Sequence, residues 1–208
     1  MTNEVYDAKE ALGQQLREIR RRAGLTGHPA RDADTRLTRW HETGLIPGLL
    51  QTRDYATAVL RACQQVIDGP DDLAAAVETR MRRQDILATG VHRFNFLLAE
   101  QCLHTRVGDT TVMIEQLTRL LDLHHNPRIA LAITPRDSQF RYPTTNFGIF
   151  DRTTVQVETV TAEVTVTQPR EITLYERVFD FLLATAVIGE SARSLIEAAI
   201  NHYRQEKR

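Results

Sequence analysis

Apolar positions recur at helical spacing in several windows of the chain and switch to short apolar or alternating runs in others. Residues 8–23 place Leu12, Leu16 and Ile19 on one face, ringed by Arg17, Arg20, Arg21 and Arg22, and Gly24 follows where a helix C-cap belongs. Residues 24–36 are poor in large apolar side chains and rich in turn formers, which reads as a linker. Helical spacing is expected from Leu37 to Gly44, and Pro47-Gly48 then makes a turn. Thr52 suits an N-cap for a helix with Tyr55, Val59, Ala62 and Val66 on its stripe. The Asp68–Asp71 break leads into another helix, through Leu73, Val77, Met81 and Leu87 to Gly90.

The period changes at Arg93. Arg93–Ala99 and Arg128–Thr134 are short and apolar, as buried strands are. Between them, residues 102–107 form a short helix or turn, and Asp109 or Thr110 caps a helix carrying Val112, Leu117, Leu120 and Leu123. After a polar loop over 136–145, Phe147–Phe150, Thr154–Val160 and Glu163–Thr167 read as strands. Glu171–Ala186 is an amphipathic helix closed by Gly189, and Ser191 caps a last helix over 192–205. The expected class is α+β: a helical N-terminal part, then a small mixed β-sheet covered by helices.

Composition narrows the function. The 208 residues carry 26 basic and 27 acidic side chains, a net charge of −1, which argues against a bulk polyanion binder. Lys9 and Lys207 are the only lysines, so 24 of the basic residues are arginines. That excess reflects either GC-rich codons or selection for forked donors that grip carboxylates and phosphates. No run approaches a membrane span and the first residues lack a signal-peptide core, so no membrane role and a cytoplasmic location are expected. Cys63 and Cys102 have no CxxC spacing and read as reduced thiols. His124 and His125 are adjacent and point apart, and no HExxH occurs, so neither metal nor cofactor is expected.

Five segments resemble one family in order. They are LIPGLLQTRDY (Leu45–Tyr55), ETRMRRQDIL (Glu78–Leu87), LLAEQCLHTRVGDTTVMIEQLTRLL (Leu97–Leu121), VETVT (Val157–Thr161) and YERVFDFLLATAV. Over roughly residues 37–200 the chain resembles the Scr1-type antitoxin-like regulators of actinobacteria, which join an XRE-type helix-turn-helix to a DUF5753 domain. The resemblance implies three parts: a residual first helix-turn-helix helix over 1–27, a linker over 28–36, and a DUF5753-like effector or partner-binding domain over 37–205. LREIRRRAGLTG is similar to the first helix and turn of the XRE domain. Only nine residues separate Gly27 from Leu37, too few for the helices that follow, the recognition helix among them. Sequence-specific duplex DNA binding is therefore not expected, and regulation through a small molecule or a small partner protein is. The order from Arg93 to Ala186 is also similar to half of a phospholipase D-like fold, but its HxK…D signature is absent.

The candidate site follows from residues in this frame. Glu100 and Glu158 fall at or in core strands, where a lone carboxylate is costly. They are either an acid pair lining a pocket, in general acid–base roles, or partners of arginines such as Arg80 and Arg83. Helical spacing puts Arg80 and Arg83 on nearly one face and Arg82 on another, so the pair is a candidate anion site. Gln84, Gln116 and Gln51 can supply amide donors, and His104 and Arg106 can face the same cavity as Glu100. Trp40, the sole tryptophan, either packs or stacks on a planar ligand. A binding module is the first expectation. The rival is a repurposed biosynthetic enzyme for small-molecule cyclisation, condensation or tRNA-dependent aminoacyl transfer. RNA contact through the arginine clusters, a homodimer, and a structural dimer with full-length relatives, which predicts a large apolar face on the 37–67 helices, remain open.

Overall fold

In the computed structural model, residues 35–66, 72–142, 145–159 and 163–206 are described. The expected helix over 8–23, its arginine cluster and most of the 28–36 linker lie outside them. The fold is α+β, with a six-stranded mixed sheet and helices on both faces.

The first correction comes at Leu37. Leu37–Glu42 is strand β1 and not a helix. The segment alternates: Thr38, Trp40 and Glu42 face one side, and Arg39 and His41 the other. Its polar residues hid a central strand, because both neighbours pair with it. β1 runs parallel to β2 (Arg93–Ala99) and antiparallel to β4 (Phe147–Phe150). Flanking strands satisfy its backbone on both edges, which outweighs any local helix preference.

The turn after β1 leads through a 3-10 turn, Gly48–Leu50, into α1 (Arg53–Val66) and α2 (Leu73–Arg83), which continues as a 3-10 turn over Gln84–Leu87. Thr52 Oγ1 accepts from the Tyr55 N–H at 3.3 Å, the N-cap its sequence predicts. Next come β2, the short α3 (Gln101–His104) and α4 (Thr110–Leu123). Asp109 caps α4 by accepting from Thr111 and Val112 N–H groups at 2.8 and 3.0 Å. Then follow β3 (Ile129–Thr134), β4, β5 (Thr154–Glu158) and β6 (Glu163–Val166). The chain closes with α5 (Pro169–Leu183) and α6 (Gly189–Glu206). Gly189, at φ +60°, opens α6 and does not close α5; between the two, Val187 bridges to Ile133 of β3.

The strand order is β3-β2-β1-β4-β5-β6, with three parallel strands joined to an antiparallel meander. On one face Phe94, Phe96 and Leu98 pack with Leu50, Tyr55, Met113, Leu117, Ile196 and Tyr203 from the turn and from α1, α4 and α6. Each such fully buried large apolar side chain contributes about 1.5–3 kcal/mol. The other face carries Leu97, Phe147, Ile149 and Val155 beneath Ile172 and Phe179 of α5. There Glu176 of α5 accepts from Arg39, and from Arg152 at 3.1 Å, so α5 is tied to β1 by charge as well as by burial. Asp151, at φ +49°, accepts from the Leu37 N–H at 2.9 Å and so fixes where β1 begins.

Candidate functional site

A cavity of about 250 Å³ lies between the first face of the sheet and the α1–α2 layer. Its floor is aromatic, made by Trp40, Phe96 and Phe150. One side is the segment Leu45–Leu49 with Gln51; α1 adds Val59 and Cys63, α2 adds Arg80 and Arg83, and Glu42, Asn146 and Glu158 stand among them. The volume falls just under the roughly 300–1,000 Å³ of drug-sized pockets, which suits a smaller ligand.

Alternation along β1 puts Glu42 on the cavity side. It is 8 % exposed. Trp40 donates its indole N–H to Glu42 Oε1 at 2.7 Å. No cation of the described residues lies within ion-pair distance of this carboxylate. Burial, opposed by the Trp40 hydrogen bond and reinforced by the charge of Glu158, raises Glu42 to about 7. Glu42 thus stands half-protonated near neutral pH. Trp40 sits edge-on to Phe150, 6.0 Å between centroids, and its ring crosses directly over Gly148. A Cβ at Gly148 would meet the ring at 2.2 Å, so only glycine allows that placement.

Glu158 closes the cavity at the end of β5. Much of the residue is open to solvent, yet desolvation at the cavity mouth, with Glu163 nearby, holds its carboxyl above the ordinary range against the pull of Arg80 and Arg83. Arg80 is 6 % exposed and donates to Gln51 Oε1 at 2.8 Å. Burial, and then the charge of Arg83, lower its pKa. Arg83 is half-buried, while Arg82 faces solvent, as their helical spacing predicts.

The three glutamines do something other than supply donors to the cavity. Gln51 Nε2 donates to the Ile46 carbonyl at 2.7 Å. Gln84 Nε2 donates to the carbonyls of Gly48 and Gln51 at 3.1 and 2.7 Å. Gln116, fully buried, donates to Leu50 O at 2.9 Å and accepts from the Thr52 N–H at 2.7 Å. The Tyr55 hydroxyl accepts from the Ile46 N–H at 3.3 Å. A buried 3-10 turn leaves carbonyls without helical partners, and these side chains satisfy them. The Pro47–Gln51 turn is both a packing corner and a wall of the cavity.

Glu100 is not in this cavity. It sits beyond β2, where it accepts from the Arg136 backbone N–H at 2.8 Å and pairs with Arg136 Nε at 3.2 Å and His104 Nε2 at 3.5 Å. The expected Glu100–Glu158 pair is therefore not assembled, and the salt-bridge reading of Glu100 holds with a different arginine. His104 and Arg106 leave with it: the His104 ring lies 6.0 Å from that of His202, and Arg106 pairs with Glu206. The acid that does share the cavity with Glu158 is Glu42, which the helical reading of residues 37–44 obscured. Reading Thr38, Trp40 and Glu42 at period two would have exposed it.

Cys63 and Cys102 are free; Cys63 lines the cavity, whereas burial pushes the Cys102 thiol up to about 12. Among the described residues no cluster of His, Cys, Asp and Glu is arranged to hold a metal, and no helix is long and apolar enough to cross a membrane. Exposed large apolar side chains gather elsewhere than on α1: apart from Leu45 they are Val91, Phe140, Tyr142, Val164, Leu174, Phe181, Leu183 and Ile188. The apolar face expected over 37–67 is thus not present in the described residues.

Residues 25–198 match the family model described as "Domain of unknown function (DUF5753)", and the chain belongs to that family. No curated protein matches it.

Proposed function

We propose that this DUF5753 chain is a small-molecule-binding module of regulatory type, related to the Scr1-type regulators and working without sequence-specific duplex DNA binding. One observation carries the reading: a preformed cavity in which a nine-tenths buried carboxylate, Glu42, meets no cationic partner among the described residues. Such a group costs stability unless a ligand or a proton satisfies it, and protein interiors rarely keep one without a use. The braced Pro47–Gln51 turn supports the same reading, because it holds one wall in place before any ligand arrives. A ligand would bias regulation only by binding one conformation better than another. A cytoplasmic setting and an XRE ancestry belong to this proposal.

The test is a thermal-shift screen of a mixed-charge metabolite library against the wild type and Val59→Phe, which fills the cavity from α1. Hits should raise the melting temperature of the wild type and leave Val59→Phe unmoved. Hits that stabilise both proteins equally, or none at all, would defeat the reading. A mobility shift on duplex DNA should be absent at moderate salt; tight, sequence-selective shifting would overturn that part.

One observation favours the enzyme reading: Glu42 stands near pH 7 in the same cavity as Glu158, as a general acid or base requires. On that reading Glu42 takes the place expected for Glu100. Mass spectrometry of each hit after incubation separates the two. Unchanged compound supports the binding module. Conversion that Glu42→Gln abolishes at undiminished binding supports the enzyme.

A further inference from the structure

Resting on that binding reading, the ligand's chemical class follows from two side chains at the end of β1. The antiparallel register of β1 and β4 runs from Thr38–Phe150 through Trp40–Gly148 to His41–Phe147. One step further sets Asn146 opposite Glu42, on the face that carries Trp40, and both line the cavity. Side chains directly opposite in such a ladder stand about 4.5–5.5 Å apart at Cβ. Thr43 holds Asn146 in place: its backbone N–H and its hydroxyl donate to Asn146 Oδ1 at 3.0 and 2.7 Å. A backbone N–H can only donate, so the amide oxygen faces Thr43 and the Nδ2 amino group faces away. Nδ2 has no partner among the described residues. Glu42 Oε1 accepts from Trp40, and Oε2 meets no donor among the described residues. The end of β1 therefore offers one open acceptor beside one open donor, next to the indole of the sole tryptophan.

The titratable and charged groups around Glu42 are Glu158 of β5, Tyr55 and Cys63 of α1, Arg80 and Arg83 of α2, and Cys102 of α3. None of them donates to its carboxylate. Arg80 and Arg83 hold partners of their own and need not touch the ligand. An ammonium satisfies Glu42 but turns a donor towards the Asn146 amino group. A carboxylate satisfies Asn146 and reaches Glu42 only while that group keeps its proton, which it gives up as pH rises above about 7. A flat apolar ring covers Trp40 and leaves both polar atoms desolvated without a partner. A ring with an N–H beside an acceptor on one edge answers both atoms and lies on the indole. We infer that the cavity takes a flat, neutral heterocycle of the nucleobase type, as a free base. Its edge N–H donates to Glu42 Oε2, the neighbouring acceptor takes the Asn146 Nδ2–H, and its ring lies over Trp40. An N–H beside Glu42 favours the ionised carboxylate, so binding releases a proton near neutral pH and strengthens as pH rises towards about 8. The volume of about 250 Å³, below the drug-sized range, matches one or two fused rings without sugar or phosphate.

Lactam bases and amino-substituted bases share this edge, and the probes keep them apart: uracil and hypoxanthine carry the first, cytosine and adenine the second. 1,3-Dimethyluracil keeps the ring and the carbonyls and lacks the N–H, while benzylamine and benzoate supply the charged alternatives. Isothermal titration at about pH 8 gives the affinities. Trp40, the sole tryptophan, lines the site, so its emission shows whether this cavity is the one filled. At least one base should quench Trp40 saturably with a Kd below about 1 mM. 1,3-Dimethyluracil, benzylamine and benzoate should each bind about tenfold more weakly than that base or worse. In Glu42→Gln the Trp40 N–H still takes the oxygen, so an amino group faces the ligand where an acceptor stood. That variant should weaken the base about tenfold and should not weaken 1,3-dimethyluracil. Asn146→Asp keeps the Thr43 hydrogen bonds and loses the donor, and should weaken the base to a similar degree. Both variants are checked for folding by circular dichroism, and either one decides if the other folds poorly. Four results would overturn the inference: 1,3-dimethyluracil binding as tightly as the best base, a charged probe binding more tightly than every base, unchanged base affinity in either folded variant, or no base binding. If a compound of another class, and no base, stabilises the wild type but not Val59→Phe, the nucleobase inference fails and the binding module stands. If no compound of any class does so, both fail.

Discussion

Replacing Glu42 by glutamine keeps an oxygen for the Trp40 indole N–H and removes the ionisable group. In the folded protein the Glu42 carboxyl titrates at about 7, against an ordinary value of 4.5. That difference of about 2.5 pKa steps corresponds to roughly 3.5 kcal/mol at about 1.4 kcal/mol per step. The sign follows from which state holds the proton. Below about 4.5 both states are protonated and Glu42 adds no penalty. Between about 4.5 and 7 the unfolded chain gives up the proton while the folded protein retains it, so stability falls as pH rises, and the loss is complete above about 7. Glu158, also raised, pulls in the same direction, and His41, lowered by burial, pulls in the opposite one; both remain in the variant. The difference between wild type and Glu42→Gln therefore reports Glu42 together with its coupling to Glu158. Urea unfolding at half-unit steps from pH 4.5 to 8.5 should show the wild type losing about 2–3 kcal/mol relative to the variant across that range. Parallel pH curves for the two proteins would refute the placement of Glu42 as a desolvated acid.

Three other outcomes follow from the geometry. Gly148→Ala puts a methyl where the Trp40 ring lies, so it should lower stability by about 1–3 kcal/mol and change Trp40 emission; an unaltered emission spectrum would contradict the close crossing. Asp151→Ala loses the hydrogen bonds to the Arg36 and Leu37 N–H groups and places alanine at φ +49°, and urea unfolding should show a loss of about 1–3 kcal/mol. Asp151→Gly should recover only the backbone share of that loss. Under native conditions an aromatic disulfide reagent should titrate one thiol, Cys63, with Cys102 reacting only on unfolding; any compound that occupies the cavity should slow the Cys63 reaction.

Much of the fold was legible because its signals were local. The α1 cap at Thr52, the α4 cap at Asp109 and the apolar runs of β2 and β3 each depend on a few neighbouring residues, and each lies where its sequence predicts. β1 was not legible by the same means. Its Thr-Arg-Trp-His-Glu carries polar residues on both faces, and what makes it a strand is pairing with residues 93–98 and 147–150, far along the chain. The site inherited that error. Arg80, Arg83, Gln51 and Glu158 were marked by charge or motif and do gather at the cavity. Glu42 and Asn146 were missed, because their positions depend on the unread strand and on the loop that enters β4. Glu100 was marked for being a carboxylate at a strand end, but spacing alone could not say which cavity that end faces. The glutamines were singled out as amide donors to a ligand, and their hydrogen bonds instead go to the carbonyls of a turn.

The account stands on ligand occupancy of the cavity between β1 and α2. The most direct measurement is a crystal structure of the chain grown with the strongest hit of the thermal-shift screen. The account predicts ligand density over Trp40, with a polar atom within hydrogen-bond distance of Glu42. Density elsewhere, at Glu100 and His104 or on the outer face of α5, with the Trp40 cavity unchanged, would contradict it.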